Sequence, residues 1–500
     1  MIDTYALMLQ SIVIPAIGAL LVLAAGDKAK GATGWISFLI LAYPLALLSY
    51  INLGIFTGHI TGSLQASYPW SPYLGDVALL ADGLSAPIAL TICLLCALIS
   101  IYSVKYMGDA PHQPSYYALY LLYAAGMIGT VLAVNLAVFF LFFELMLLPS
   151  WALIGVWGTG RKEAIAFKYF MFTEAGALSL LAGILLLRFN TGSFNILEIA
   201  GKLQGLTGAT TISVAILILI GLFVKMAIFP LHNWLPDAHA EAPTPISALL
   251  SPAMIGIGGY AVIRIVYTLF PSIILNREFM YSLSVLAVIT MFYGGLMALA
   301  QADIKRLLAY SSISQMGYLL FGISSISILG LTGAGLLYVS HGLAKAALFM
   351  VAGIFMHNLG TRKISDLGGL AARMPITATV TLISFLSLAG VPPMLGFWGE
   401  LFAFAGSLYT GVATLATVDM GRVWVTALAV ISSILTAGYG LWAVRRIFFG
   451  ELRQSFSDAK EASSEFVAPL VVLTLLLVLL GIYPTPLSKL LGEFFSQLLP

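Results

Sequence analysis

Five ionisable side chains sit inside long runs of Leu, Ile, Val, Ala and Phe: Glu144, Glu174, Lys225, Lys345 and Glu400. The chain has 500 residues, of which the hydrophobic set makes up 60% and charged residues only 9%. Soluble chains carry about 25% charged residues, so this one lacks the polar surface to dissolve and its apolar runs read as membrane spans. A charge at mid-bilayer costs about 2.5–3.5 kcal/mol on insertion scales. Groups kept at that cost either hold helices together as ion pairs or line a polar path. For two lysines and two glutamates on four different spans, a path accounts for the pattern better than pairing does.

The chemistry such a set can do is proton transfer. A free lysine, with a pKa of about 10.4, does not release protons at neutral pH. Burial weakens a lysine's hold on its proton and a carboxylate beside it restores that hold. Glu144 approaching or leaving Lys225 would therefore switch the lysine between holding and releasing a proton. Moving one charge against 100 mV costs about 2.3 kcal/mol, so the switch needs an energy source. The sequence contains no P-loop, no dinucleotide fingerprint and no cluster-type cysteine spacing. Its two cysteines, Cys93 and Cys96, share one apolar stretch; they make no disulfide framework, and without polar surroundings a redox role is disfavoured. The net charge of +2 leaves no basic surface for nucleic acid.

A span needs roughly 20 apolar residues. Such runs are Ala6–Ala25, Trp35–Phe56, Gly83–Val104, Tyr117–Val134, Leu136–Trp157, Ala164–Leu187, Ile212–Leu235 and Ile246–Leu269. They continue with Met280–Ala300, Leu307–Ile328, Leu331–Met356, Ile376–Tyr409, Val423–Phe449 and Phe466–Ile482, fourteen in all. The ten-residue alternating segments of a membrane barrel are absent, so the fold class is all-α and polytopic. No basic segment precedes Ala6–Ala25, which reads as a first span and not as a cleaved signal. Of 23 Lys and Arg, 14 fall on the side of the first inter-helix loop, from Lys28 and Lys30 to Arg453 and Lys460. Six fall on the other side, and Lys168, Lys225 and Lys345 lie inside spans. That bias makes the first side cytoplasmic and puts both termini outside.

Two spans are interrupted. Lys225 precedes Pro230, and Glu400 follows Pro392-Pro393 within Gly390–Gly399. Proline removes an amide donor and kinks or unwinds a helix. Freed backbone at membrane depth is tolerated only in a protein interior or beside water. A Pro-broken helix with an ionisable residue, recurring after 162 residues (Pro230 and Pro392), is the pattern of a transporter with internal repeats; a simple packing kink explains one proline better than the pair. His232, Asp237, His239 and Glu241 follow the first break and admit a metal site, but a polar turn around a broken helix is the preferred reading. Asp303-Lys305-Arg306 marks the cytoplasmic start of a span, and the charged stretch from Arg445-Arg446 to Glu465 a cytoplasmic loop that could dock a partner.

These motifs resemble the antiporter-like subunits of respiratory complex I and its relatives, the membrane-bound hydrogenases and multi-subunit Na⁺/H⁺ antiporters. The most specific stretch is Lys225-Met226, Phe229-Pro230-Leu231-His232, Trp234-Leu235-Pro236-Asp237-Ala238-His239 and Glu241-Ala242-Pro243-Thr244-Pro245. Phe143-Glu144-Leu145 with Pro149, Gln301–Arg306 with Ser311–Gly317, His341–Ala346 and Gly396–Glu400 add to it. The resemblance spans nearly the whole chain. It implies three N-terminal helices (1–115), a first inverted five-helix repeat (116–270), a second (271–450) and a cytoplasmic loop with a last helix (451–500), with spans 7 and 12 broken.

Position by position, the resemblance makes Glu144 the acidic partner, Lys225 the proton-carrying lysine, Lys345 its counterpart on span 11 with His341 one turn before it, and Glu400 the terminal group. Glu at that last position points to the branch of complex I subunit M, although Lys345 is more like subunit L. Span 8 departs from the M pattern: Gly256 stands where a central lysine is expected, and Ser251 aligns with the histidine of the L type. Water beside Ser251, Gly256 and Gly258 is one way across the gap, and an interrupted path is the other; Glu174 and His232 are further bridging candidates. Glu174 is an extra acid with no assigned role.

The expected function is ion translocation by a membrane subunit of a redox-driven complex, through a Glu144, Lys225, His341, Lys345, Glu400 relay. The chain itself would hold no cofactor and do no redox chemistry. Its partners would be other integral membrane subunits and a peripheral redox module with iron–sulfur clusters, in a cell or energy-converting membrane. A Na⁺/H⁺ antiporter subunit, with Glu144, Glu174 and unwound carbonyls as oxygen ligands, is one alternative. A non-pumping scaffold, suggested by Gly256, is the other.

Overall fold

A helix that is apolar all round has no face to give to water, so it is stable only against other helices or lipid. The computed structural model describes residues 4–26, 31–203, 208–412 and 418–499. Lys28 and Lys30, counted above among the cytoplasmic residues, lie outside the described residues. The first helices are α1 (Thr4–Ala25) and α2 (Thr33–Thr57), followed by a hairpin of β1 (Leu64–Ser71) and β2 (Gly75–Ala81). Then come α3 (Ser85–Tyr106), α4 (Gln113–Leu132), α5 (Leu136–Trp157), α6 (Lys162–Thr191), α7 (Ile196–Lys202), α8 (Gly208–Met226) and α9 (Leu235–Glu241). Next are α10 (Thr244–Leu249), α11 (Ile255–Ala261), α12 (Pro271–Ile274), α13 (Arg277–Leu299), α14 (Ile304–Ile323) and α15 (Ile328–Ile354). The last are α16 (Pro375–Leu388), α17 (Leu395–Val412), α18 (Met420–Phe448), α19 (Ser464–Ile482) and α20 (Thr485–Leu498). Every run picked out as a span contains a helix, and the protein is a multi-pass membrane protein.

Twelve of these helical stretches are long and apolar enough to cross a membrane. Of the two other runs read as spans, one is α14, which buries Ser311, Ser312, Ser314 and Gln315, and the other is the interrupted pair α16–α17. α14 and α15 are buried along almost their whole length. Outer helices turn Leu20, Leu39, Phe167, Phe189 and Ile434 outward, as lipid-facing surfaces require. Helix starts are fixed by side-chain caps: Asn135 Oδ1 accepts from Ala137 and Val138 N–H at the head of α5, and Asp303 Oδ1 accepts from Lys305 and Arg306 N–H at the head of α14.

Among the elements not anticipated are the β1–β2 hairpin and α20. The β1–β2 hairpin pairs Leu64 with Ala81 and Tyr68 with Val77. Its Leu64/Ala66 alternation with Gln65/Ser67 is too short to stand out beside twenty-residue apolar runs. α20 is amphipathic, with Leu487, Leu490, Leu491 and Phe495 buried.

Both breaks occur where the proline is. After α8 the chain leaves the helix with Ala227 at φ 54° and re-enters at α9. The Trp234 indole Nε1 donates to the Val224 carbonyl at 3.0 Å, and that carbonyl also accepts from Ala227 N–H at 3.1 Å. After α16, Leu388 would have bonded to the amide four residues on, but that residue is Pro392 and has none. Gln315 Nε2, from α14, donates to the Leu388 carbonyl at 3.0 Å instead. Between these breaks, the span formed by α10 and α11 is irregular, with π-helical turns at Leu250–Met254 and Val262–Tyr267.

Candidate functional site

Lys225 is the penultimate residue of α8, buried, with its Nζ 4.3 Å from the centroid of the Phe143 ring on α5. The ammonium makes no hydrogen bond and neither does Glu144 Oε1. The carboxyls of Glu144 on α5 and Glu174 on α6 both lie within electrostatic reach of Lys225 and of each other. The first site is therefore a lysine and two acids with no closed ion pair, and Glu174 is a full member of it. Its position in the sequence gave it no partner; only the packing of α5, α6 and α8 does.

Lys345 is fully buried in the middle of α15. Its Nζ donates to the Leu308 carbonyl at 2.9 Å and to Ser311 Oγ, both on α14. His341, one turn earlier, has both ring nitrogens unpaired. His239 from α9 comes within electrostatic reach of His341 and Lys345 and stacks on Phe349 at 4.7 Å. At the third site, Glu400 Oε2 on α17 accepts from Ser433 Oγ of α18 at 2.8 Å, while Oε1 has no partner. Gly390, at φ 64°, leaves room for that carboxyl: a Cβ there would lie 2.5 Å from Glu400 Oε2.

The stretch between Lys225 and Lys345 differs from the expectation of water beside small residues. A Cβ on Gly256 would meet the Tyr338 ring at 2.4 Å, and one on Gly258 would meet Met226 at 2.5 Å. The space is filled by side chains from α15 and α8; Tyr338 Oη donates to the Ala253 carbonyl at 3.1 Å. Ser251 Oγ meets Ser312 Oγ at 2.7 Å, next to the Ser311 that binds Lys345. Tyr338 was not singled out in the sequence, and Ser311 and Ser312 stood there only as part of a family motif with no role of their own, although the hydroxyls of the Ser311–Ser314 segment inside a span were a usable signal.

The group after the first break is spread over several partners. His232 stacks on Phe229 at 5.5 Å and packs against Tyr293 at 4.5 Å. Asp237 binds Lys168 at 2.7 Å and Arg306 at 3.0 Å. Arg362 binds Asp303 at 2.6 Å and lies 4.0 Å from Glu241. Burial would raise the Asp237 carboxyl, but Lys168 and Arg306 hold it below the usual carboxylate range. Lys168, counted above as inside a span, is 37% exposed and belongs to this ionic collar. Among the described residues, no three His, Cys, Asp or Glu converge as metal ligands.

At the opposite end of α11, Arg264 Nη2 donates to Asp82 Oδ1 at 2.7 Å, both side chains almost fully buried. Burial would raise the Asp82 carboxyl, but Arg264, with the Ser85 amide and hydroxyl, holds it below the usual range. Sequence reasoning did not find this pair, because its members are 182 residues apart.

Residues 133–441 match the family described as NADH:quinone oxidoreductase/Mrp antiporter, TM, and residues 73–117 match the N-terminus of complex I chain 5. The F420H2 dehydrogenase subunit M of Methanosarcina mazei is 32% identical over 450 residues, 88% of either chain. A chain of respiratory complex I from Thermus thermophilus superposes with a TM-score of 0.86 at 27% identity, covering 99% of this chain and 100% of that one. A chain of the Mrp complex from Dietzia sp. DQ12-45-1b superposes with a TM-score of 0.87 at 25% identity, covering 100% and 98%.

Proposed function

We propose, from the premise that this chain belongs to the NADH:quinone oxidoreductase/Mrp antiporter family of membrane subunits, that it moves protons across a membrane as one subunit of a redox-driven complex. The observation that carries this reading is Lys225: a buried ammonium with no hydrogen bond, at the end of a Pro-broken helix, facing two carboxyls. Such a group keeps or gives up its proton according to where those carboxyls lie. Lys345 with His341, and Glu400 at the second break, add further buried ionisable groups farther along. In this reading Glu144, Lys225, His341, Lys345 and Glu400 carry the proton. Ser251 with Ser312 bridges span 8, where Gly256 leaves no ionisable group, Glu174 tunes the first site, and His232 lines its cytoplasmic approach. Lys225→Ala should abolish proton pumping by the assembled complex while leaving assembly intact, and undiminished pumping by that variant would refute the proposal.

The same reading assigns residues 116–270 and 271–450 to two inverted repeats and places both termini outside, in line with the distribution of Lys and Arg. Iron–sulfur clusters and electron transfer belong to partner subunits. Mass spectrometry of what co-purifies in mild detergent tests this: iron–sulfur proteins are expected, and small membrane subunits alone would turn the assignment toward an antiporter.

One observation favours that second reading. The neighbouring carboxyls of Glu144 and Glu174 offer the clustered oxygens a sodium ion requires. Sodium-dependent proton flux in vesicles without an electron donor would support it.

A further inference from the structure

A file of hydroxyls stands between Lys345 and Glu400, the two carriers of the second half of the proposed path. Ser311 Oγ accepts from Lys345 Nζ. Tyr439 Oη, from α18, lies beside Ser311 and Thr436, is completely buried and closes no hydrogen bond with either. Thr436 Oγ1 is 3.4 Å from Tyr318 Oη, which accepts from Ser432 Oγ at 2.8 Å. Tyr318 lies beside Ser433 and Glu400, and Ser433 Oγ donates to Glu400 Oε2 at 2.8 Å.

A hydroxyl both donates and accepts, which a proton wire needs and an apolar lining lacks. Buried polar atoms are normally paired, and a ring kept only for packing is served as well by phenylalanine. The two unpaired atoms of this file, Tyr439 Oη and Glu400 Oε1, mark where it is open. We propose that Tyr439 is the mobile link of a hydroxyl ladder that passes a proton from Lys345 to Glu400. An N–H bond breaks at the Lys345 ammonium, and Ser311, Tyr439, Thr436, Tyr318 and Ser433 each accept one proton and hand on their own. An O–H bond then forms at the Glu400 carboxylate. Lysine ends neutral, glutamate ends protonated, and every hydroxyl is restored once its O–H has turned.

This inference rests on the reading of Lys345 and Glu400 as carriers, and the test separates the two. The assembled complex is placed in sealed vesicles containing pyranine, with a potassium diffusion potential imposed by valinomycin, and initial proton flux is compared for the parent, Tyr439→Phe, Thr436→Val and Lys345→Ala. Tyr439→Phe should lower flux at least tenfold, to the level of Lys345→Ala, while its thermal stability in detergent equals or exceeds the parent's, because an unpaired hydroxyl has been removed. Thr436→Val should lower flux too and carries the test if the tyrosine variant does not assemble. Full flux in Tyr439→Phe and Thr436→Val, with flux lost in Lys345→Ala, overturns the ladder and leaves the carriers standing. Full flux in all three overturns both.

Discussion

Gln315 Nε2 donates to the Leu388 carbonyl oxygen at 3.0 Å, across the interface of α14 and α16. The bond replaces the one that Pro392 cannot supply, and it keeps the second break open without an unpaired carbonyl at membrane depth. Trp234 serves the first break through the Val224 carbonyl. The two sites differ in one respect: Val224 keeps a second donor, the Ala227 amide.

That difference predicts unequal costs. Gln315→Leu strands a buried carbonyl and should destabilise the protein by about 1–3 kcal/mol. Trp234→Phe removes one of two bonds and should cost about 0.5–1.5 kcal/mol through hydrogen bonding. Thermal unfolding of both variants in detergent measures the order; an equal or reversed order would show that the carbonyls are not what these side chains hold.

Asp82 and Arg264 form a pair whose removal leaves a buried charge. Asp82→Ala should cost about 3–5 kcal/mol. The folded carboxyl titrates below its ordinary value, so its stabilisation is complete above about pH 4, the unfolded value, and is lost as pH falls through the lower folded one. The stability gap between the parent and Asp82→Asn should stay constant from neutral pH down to about 4 and narrow below it. A gap that closes near pH 6 would contradict the pairing.

Gly390 holds a positive φ and lies against Glu400. Gly390→Ala strains the backbone by roughly 1 kcal/mol and drives the carboxyl away from Ser433. Proton flux should fall with assembly unchanged, read in the same vesicle assay, whereas Gly438→Ala, a glycine with open space around its Cβ position, should leave flux alone.

Tyr338 occupies the place beside Gly256. Restoring a lysine there by Gly256→Lys alone should overpack the interior by at least 1–3 kcal/mol. Adding Tyr338→Ala should recover much of that loss. Detergent melting curves of the single and double variants give the coupling, and strict additivity would mean that the two positions do not share the space.

The composition and spacing of residues alone determined that this is a helical membrane protein, where its spans run, that two of them break at Pro230 and Pro392, and which charges sit at depth. Each of these follows from local physics: a lipid-exposed run must be apolar over its whole length, proline removes its own amide, and a buried charge is costly wherever it occurs. The family likeness was legible for the same reason, since the motifs around Lys225, Lys345 and Glu400 are contiguous in the chain. Neighbourhood was decided by tertiary structure alone. Glu174 joins Glu144, Tyr338 fills the gap at Gly256, Arg264 finds Asp82, and Ser311, Tyr439 and Tyr318 line up between Lys345 and Glu400. Apart from the clustered hydroxyls of Ser311–Ser314, no local signal announces these contacts, because a serine, threonine or tyrosine in an apolar helix can bond back to its own turn and reads the same in the sequence whether it faces a buried charge or nothing at all.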